Sequence, residues 1–118
     1  PEQDPYNVDI MFCNFNDGQG SENLREVIAE DFYPWLDSYE AANPDASYNF
    51  SIEVPSYQPD PPFDYIWKNI HRNSAQADAG NAAWTETGVA IQEKFDVVST
   101  CQPPARFAGY SFVNDDEA

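Results

Sequence analysis

The segment from Tyr6 to Asn16 constrains this chain more than any other. Val8, Ile10 and Phe12 alternate with Met11, Cys13 and Phe15, so an extended backbone there carries apolar side chains on both sides. A strand with one wet face alternates apolar with polar. One that is apolar on both faces belongs in the middle of a sheet, with a layer over each face. The remaining chain must therefore supply neighbours for both edges of this strand and cover for both of its faces.

Asn16-Asp17-Gly18-Gln19-Gly20-Ser21 is turn chemistry, with Ser21 the expected N-cap and Glu22 suited to a first helical turn. Residues 22–42 read as helix, because Leu24, Val27, Ile28, Phe32, Trp35, Leu36 and Tyr39 fall on one arc. Pro34 inside that stretch predicts a kink, or a second short helix with proline at its first position. Tyr48, Phe50, Ile52 and Val54 alternate with polar residues as a half-buried strand, and the proline-rich segment 55–62 ends it. Residues 63–71 predict a third strand with Phe63, Tyr65, Trp67, Asn69 and His71 on one face. A second helix is expected over 74–100. Its stripe of Ala77, Gly80, Trp84, Gly88, Ile91, Phe95 and Val98 contains two glycines, which admit a close approach by the sheet or a ligand. Pro103-Pro104 stops it, and 107–113 is the expected last strand.

The order β, α, β, β, α, β with right-handed crossovers gives an α+β fold of ferredoxin-like layout. Four antiparallel strands carry two helices on one face. It forms one domain over 1–118, with an ordered core of about 6–113 and an acidic solvated tail at 114–118. Both faces of the first strand ask for cover, and a homodimer or higher homo-oligomer supplies the second layer.

Composition narrows the partners. Asp and Glu total 21 against five Lys and Arg, a formal net charge of −16. Such a surface repels nucleic-acid phosphates and anionic lipid, so neither is an expected partner. Aromatic residues at 15% exclude a disordered acidic chain. No apolar run approaches the roughly 20 residues of a membrane span. The start at Pro1-Glu2-Gln3 fits either a processed mature form or a piece of a longer protein.

In order and length, from Tyr6 to Val113, the chain resembles the dimeric α+β barrel superfamily, in which two ferredoxin-like sheets pack face to face. That group includes antibiotic-biosynthesis-type monooxygenases, stress-response barrel proteins and small polyketide cyclases. The chain also resembles small marine-bacterial proteins through Cys13, Asp17-Gly18, Phe63 with Trp67, Trp84 and Cys101. The first resemblance implies a small-molecule site and, if catalytic, cofactor-free monooxygenase-like or cyclase-like chemistry. The second brings no activity.

His71, the only histidine, shares a strand face with Tyr65, Trp67 and Asn69. It reads first as a strand-end histidine, exposed or bonded to backbone, then as a general base near neutral pH, and last as a haem ligand, as in some barrels of that superfamily. Tyr65, Trp67, Trp84 and Tyr110 read either as an aromatic core or as the wall of a ligand site, with Asn14 and Asn69 as its polar anchors. The acidic residues fit no EF-hand spacing and there is no Cys/His set for zinc, so neither a metal site nor a cofactor is expected. A secreted or cell-surface assembly subunit with a calcium-binding acidic surface is the alternative function. Cys13 on the first strand and Cys101 before the last read as a disulfide or as two buried thiols. A bridge would place the protein in the periplasm or outside the cell, and free thiols would suit the cytoplasm.

Overall fold

The computed structural model describes residues 5–112. Val113 and the acidic tail 114–118 lie outside the described residues. The chain is α+β, with one antiparallel sheet of five strands in the order β2-β3-β1-β4, and β5 also pairing with β1. β1 (Tyr6–Phe15), β2 (Tyr48–Glu53) and β3 (Tyr65–His71) fall where alternation places them. β3 starts two residues later than alternation alone indicates. Asp64 turns the chain there: its backbone N–H donates to the Cys13 carbonyl, and its carboxylate accepts from the Phe15 N–H at 2.7 Å.

The expected four strands become five, because a short strand forms at Ser99–Cys101 where the second helix is expected to end, and the expected last strand starts earlier, at Ala105, and ends at Gly109. β4 (Ser99–Cys101) and β5 (Ala105–Gly109) lie end to end along the same edge of β1. Pro103 and Pro104 interrupt them, since neither can donate to the ladder. Cys13 faces Cys101 and Ile10 faces Ala105, so three residues on this side oppose only Met11 and Phe12. That extra residue is a bulge, and it exchanges the faces of the side chains that follow. Arg106 therefore shares Cys101's face and meets Asp9.

Both expected helices are interrupted. The first runs as α1 (Ser21–Val27), a π turn (Ile28–Phe32) and α2 (Tyr33–Ala42). Pro34 is the second residue of α2, one position from the start expected for a second helix there. One widened turn, closed by Tyr33 N–H donating to the Ile28 carbonyl, accommodates the missing donor. The N-cap is Gly20, not Ser21; its N–H donates to the Asn23 side chain at 2.9 Å. The second helix divides at Gly88 into α3 (Ser74–Thr87) and α4 (Val89–Val98). Gly88 is required there, because a Cβ would run into the Trp84 ring. The helix stops at Val98 rather than residue 100, since Ser99–Cys101 pairs with β1.

The helices cover one face of the sheet. Leu24, Val27, Ile28, Phe32, Leu36 and Val98 pack on Cys13, Tyr65 and Trp67 to form the core. The other face carries Val8, Ile10, Phe12, Ile66, Ile70 and Phe107, paired across β3, β1 and β5. Phe12 is 40% exposed and Phe107 53%, so this second apolar face has no cover among the described residues.

A disulfide joins Cys13 to Cys101 across the β1–β4 pair, closing a separation of 88 residues. Chain-entropy arguments give such a loop about 4–5 kcal/mol. The Cys13→Ala/Cys101→Ala double variant should lose up to about that much in urea unfolding, and reductant should lower the wild type to the same level. Gly88→Ala should cost about 1–3 kcal/mol through overpacking against Trp84, read as a lower urea midpoint at unchanged slope.

Candidate functional site

Between the helices and the covered sheet face lies a cavity of about 500 Å³. Its walls follow from alternation and helical period. β3 contributes Tyr65, Trp67, Asn69 and His71; β1 contributes Asp9 and Met11; the helices contribute Phe32, Trp35, Tyr39, Trp84 and Phe95. All three tryptophans of the chain border it. Phe32, placed by the π turn, is the hub: its ring meets Phe50, Trp67, Trp84 and Phe95 edge-on at 5.2–5.8 Å. Such pairs favour offset and edge-on geometry, and they fix the ring planes as well as exclude water.

The polar groups gather on the sheet side. Asn69 Oδ1 accepts from Trp67 Nε1 at 2.8 Å and from the Tyr48 hydroxyl. Its acceptor is thus occupied, and the carboxamide N–H₂ is its remaining donor. Burial pushes the Tyr48 phenol well above its ordinary value, so it stays protonated as that donor. Tyr65 donates to Ser99 Oγ at 2.9 Å, and burial raises its pKa as well.

Asp9, only 6% exposed, is held by Arg106, whose Nε and Nη2 donate to its two oxygens at 2.8 and 3.1 Å. Asn7 Nδ2 donates to the same carboxylate at 3.0 Å, and Arg106 Nη1 reaches Asp78 on α3 at 2.9 Å. A buried carboxylate without such partners would carry a desolvation cost of several kcal/mol.

His71 is 7% exposed, with its ring 4.9 Å from that of Tyr48. Its Nδ1 is fully buried and has no hydrogen-bond partner among the described residues. Burial holds the imidazole below its ordinary pKa; the Asp9 carboxylate opposes this and the Arg106 guanidinium adds to it. His71 is therefore neutral at pH 7.

Tyr65, Trp67, Asn69, His71 and Trp84 are thus brought together around one space. Asn14 and Tyr110 are not. Asn14 sits at an even position of β1 and is exposed on the side of Val8, Ile10 and Phe12, because side chains alternate. Tyr110 lies beyond the end of β5 and is 58% exposed. Alternation and spacing did not mark Asp9, Arg106, Tyr39 or Tyr48 as site residues, although they put Tyr39 on the apolar arc of the first helix and Tyr48 on the apolar face of the second strand. Tyr39 had a signal in its four-residue spacing from Trp35, on which its ring stacks at 5.4 Å. Arg106 had none, since its position depends on the bulge.

Among the described residues no three His, Cys, Asp or Glu side chains come together as a metal site, and no helix is long and apolar enough to cross a membrane.

The sole histidine offers a direct test by NMR of its ring signals. Asp9 on β1, Arg106 on β5, Tyr48 on β2 and Tyr39 on α2 are the ionisable groups around it. Its titration midpoint should lie below 6.5 in the folded chain. The unfolded chain then binds the proton more readily, so this contribution to stability is present above about pH 6.5 and is lost as pH falls toward the folded midpoint. His71→Gln should flatten the stability profile in that window, and a midpoint above 6.5 would contradict the buried, neutral imidazole. No protein-family model matches the chain, and no curated protein is significantly similar to it.

Proposed function

We propose that the chain is a small-molecule-binding domain that holds an apolar or aromatic compound between its sheet and its helices. The observation that carries this reading is the cavity of about 500 Å³ bordered by Trp35, Trp67 and Trp84, with a few polar groups on one side. Ligand sites typically have such apolar walls and few oriented polar atoms, within a range of roughly 300–1,000 Å³. Binding is favoured over catalysis because the one candidate base, His71, has no nucleophile or second acid–base group hydrogen-bonded to its Nδ1 among the described residues. A catalytic use of the monooxygenase or cyclase kind would rest on His71 alone.

The finer architecture we infer is ferredoxin-like, with β4 and β5 as two halves of a fourth strand. The strand order and the helical crossovers from β1 to β2 and from β3 to β4 support it. The uncovered apolar face supports a homodimer formed sheet to sheet, as in dimeric α+β barrels. The Cys13–Cys101 bridge supports an oxidising compartment, the periplasm or the extracellular space.

Titration with uncharged aromatic compounds should quench tryptophan fluorescence saturably at one site per chain, with the negative heat-capacity change of apolar burial. Absence of saturable quenching across such a panel, up to its solubility limit, would rule the reading out. Light scattering should give twice the 13.3 kDa chain mass without calcium. A monomer would remove the dimer, and calcium-driven growth to large species would favour an assembly role.

A further inference from the structure

The cavity contains a polar notch over Gly80. A Cβ built there would lie 3.1 Å from His71 Nε2 and 3.8 Å from the Tyr39 hydroxyl oxygen. All three residues border the cavity. Two side chains from opposite layers, β3 and α2, thus converge on the cavity wall beside Gly80, where the missing side chain lets the His71 ring pack close to the helix. Among the described residues neither polar atom is engaged in a hydrogen bond; Asn43 donates its backbone N–H and its Nδ2 to the backbone carbonyl of Tyr39, not to its hydroxyl.

The protonation pattern sets what the notch can recognise. His71 Nδ1 is sealed from solvent without a partner. A sealed lone pair is more readily tolerated than a sealed N–H, so the proton of the neutral ring is assigned to Nε2. Nε2–H then points its donor at the notch. The Tyr39 O–H is a second donor, and the Asn69 amide, two positions along the same face of β3, is a third once its oxygen is taken by Tyr48 and Trp67. Three donors call for an oxygen acceptor. A carboxylate is disfavoured, because a chain of net charge −16 surrounds it and the guanidinium of Arg106 is already engaged by Asp9 and Asp78.

We propose that the notch over Gly80 is an oxygen-acceptor subsite, taking the carbonyl or hydroxyl oxygen of an uncharged, flat aromatic ligand whose rings lie against the tryptophans. This rests on the binding function proposed above and specifies its ligand class. The aromatic body supplies affinity without choosing an orientation. The oxygen at His71 and Tyr39 chooses it.

The test compares 2-acetylnaphthalene with its oxygen-free isostere 2-isopropenylnaphthalene and with the anion 2-naphthoate, by calorimetry on the full chain. The ketone should bind about tenfold more tightly than the hydrocarbon, the worth of a well-made buried hydrogen bond. Gly80→Ala sets a methyl 3.1 Å from His71 Nε2 and so covers that donor, with a small shift of the ring; it also raises helix propensity, and an unchanged circular dichroism spectrum checks that the variant is folded. In that variant the ketone should fall to the hydrocarbon's affinity, with the hydrocarbon unchanged. Tyr39→Phe, which keeps the stacked ring, should lose about half of the preference on a logarithmic scale. Equal binding of ketone and hydrocarbon by the wild type would overturn the subsite and leave the cavity reading standing. Naphthoate binding as well as the ketone would overturn the choice of an uncharged ligand. Failure of all three compounds to bind would remove the cavity reading and the subsite together.

Discussion

β1 is paired along both edges, with β3 on one side and with β4 and then β5 on the other. Only β2 lies beyond its reach, one strand further out. This double pairing fixes which side chains of β1 turn inward. Asn7, Asp9, Met11, Cys13 and Phe15 go to the helices, and Val8, Ile10 and Phe12 go to the open face. A one-residue change in register on either side would exchange those sets. Cys13–Cys101 ties the β4 edge covalently at the most buried point of the strand, where Cys13 is 0% exposed. The floor of the cavity is therefore defined by backbone hydrogen bonds and one bridge, before any helix is considered.

The helices are irregular where they meet that floor, and each irregularity has a local cause. Pro34 cannot donate, and the turn before it widens; Phe32 is thereby placed at the centre of the aromatic set. Gly80 and Gly88 sit where side chains press against the helix backbone, His71 from the sheet in one case and Trp84 from the same helix in the other. Glycine weakens a helix by about 1 kcal/mol relative to alanine. At residue 88 the alternative is a collision with the indole. At residue 80 the consequence is that His71 Nε2 and the Tyr39 hydroxyl come close together on an otherwise aromatic wall.

The ion pair between buried Asp9 and partly exposed Arg106 is not by itself a source of stability, since the carboxylate leaves water to make it. Its geometry nevertheless links three layers of the molecule: β1 through Asp9, β5 through Arg106 and α3 through Asp78. The bulge at residues 102–104 makes this possible by turning Arg106 inward. The same pair stands near His71 with opposing effects on its proton affinity, so burial decides the outcome and the ring is neutral. A neutral imidazole in an aromatic cavity can recognise a ligand through either a donor or an acceptor, and the sealing of Nδ1 selects the donor.

Local pattern in the sequence determined the α+β class, the central place of β1, the face shared by Tyr65, Trp67, Asn69 and His71, and the glycines along the second helical stripe. These depend only on periods of 2 and 3.6 and on turn chemistry, which neighbouring residues set between them. The cysteines were open to two readings, and only the β1–β4 register, which puts Cys101 opposite Cys13, decided for the bridge. The tertiary structure alone decided that Asn14 faces away from the cavity, that a short β4 forms ahead of β5, and that Arg106 finds Asp9 across 97 residues. It also decided that Tyr39 and His71 converge over Gly80. Such contacts depend on register and on the crossing of elements distant in the chain. One inserted residue reverses a strand's faces without altering the local preference of any residue in it.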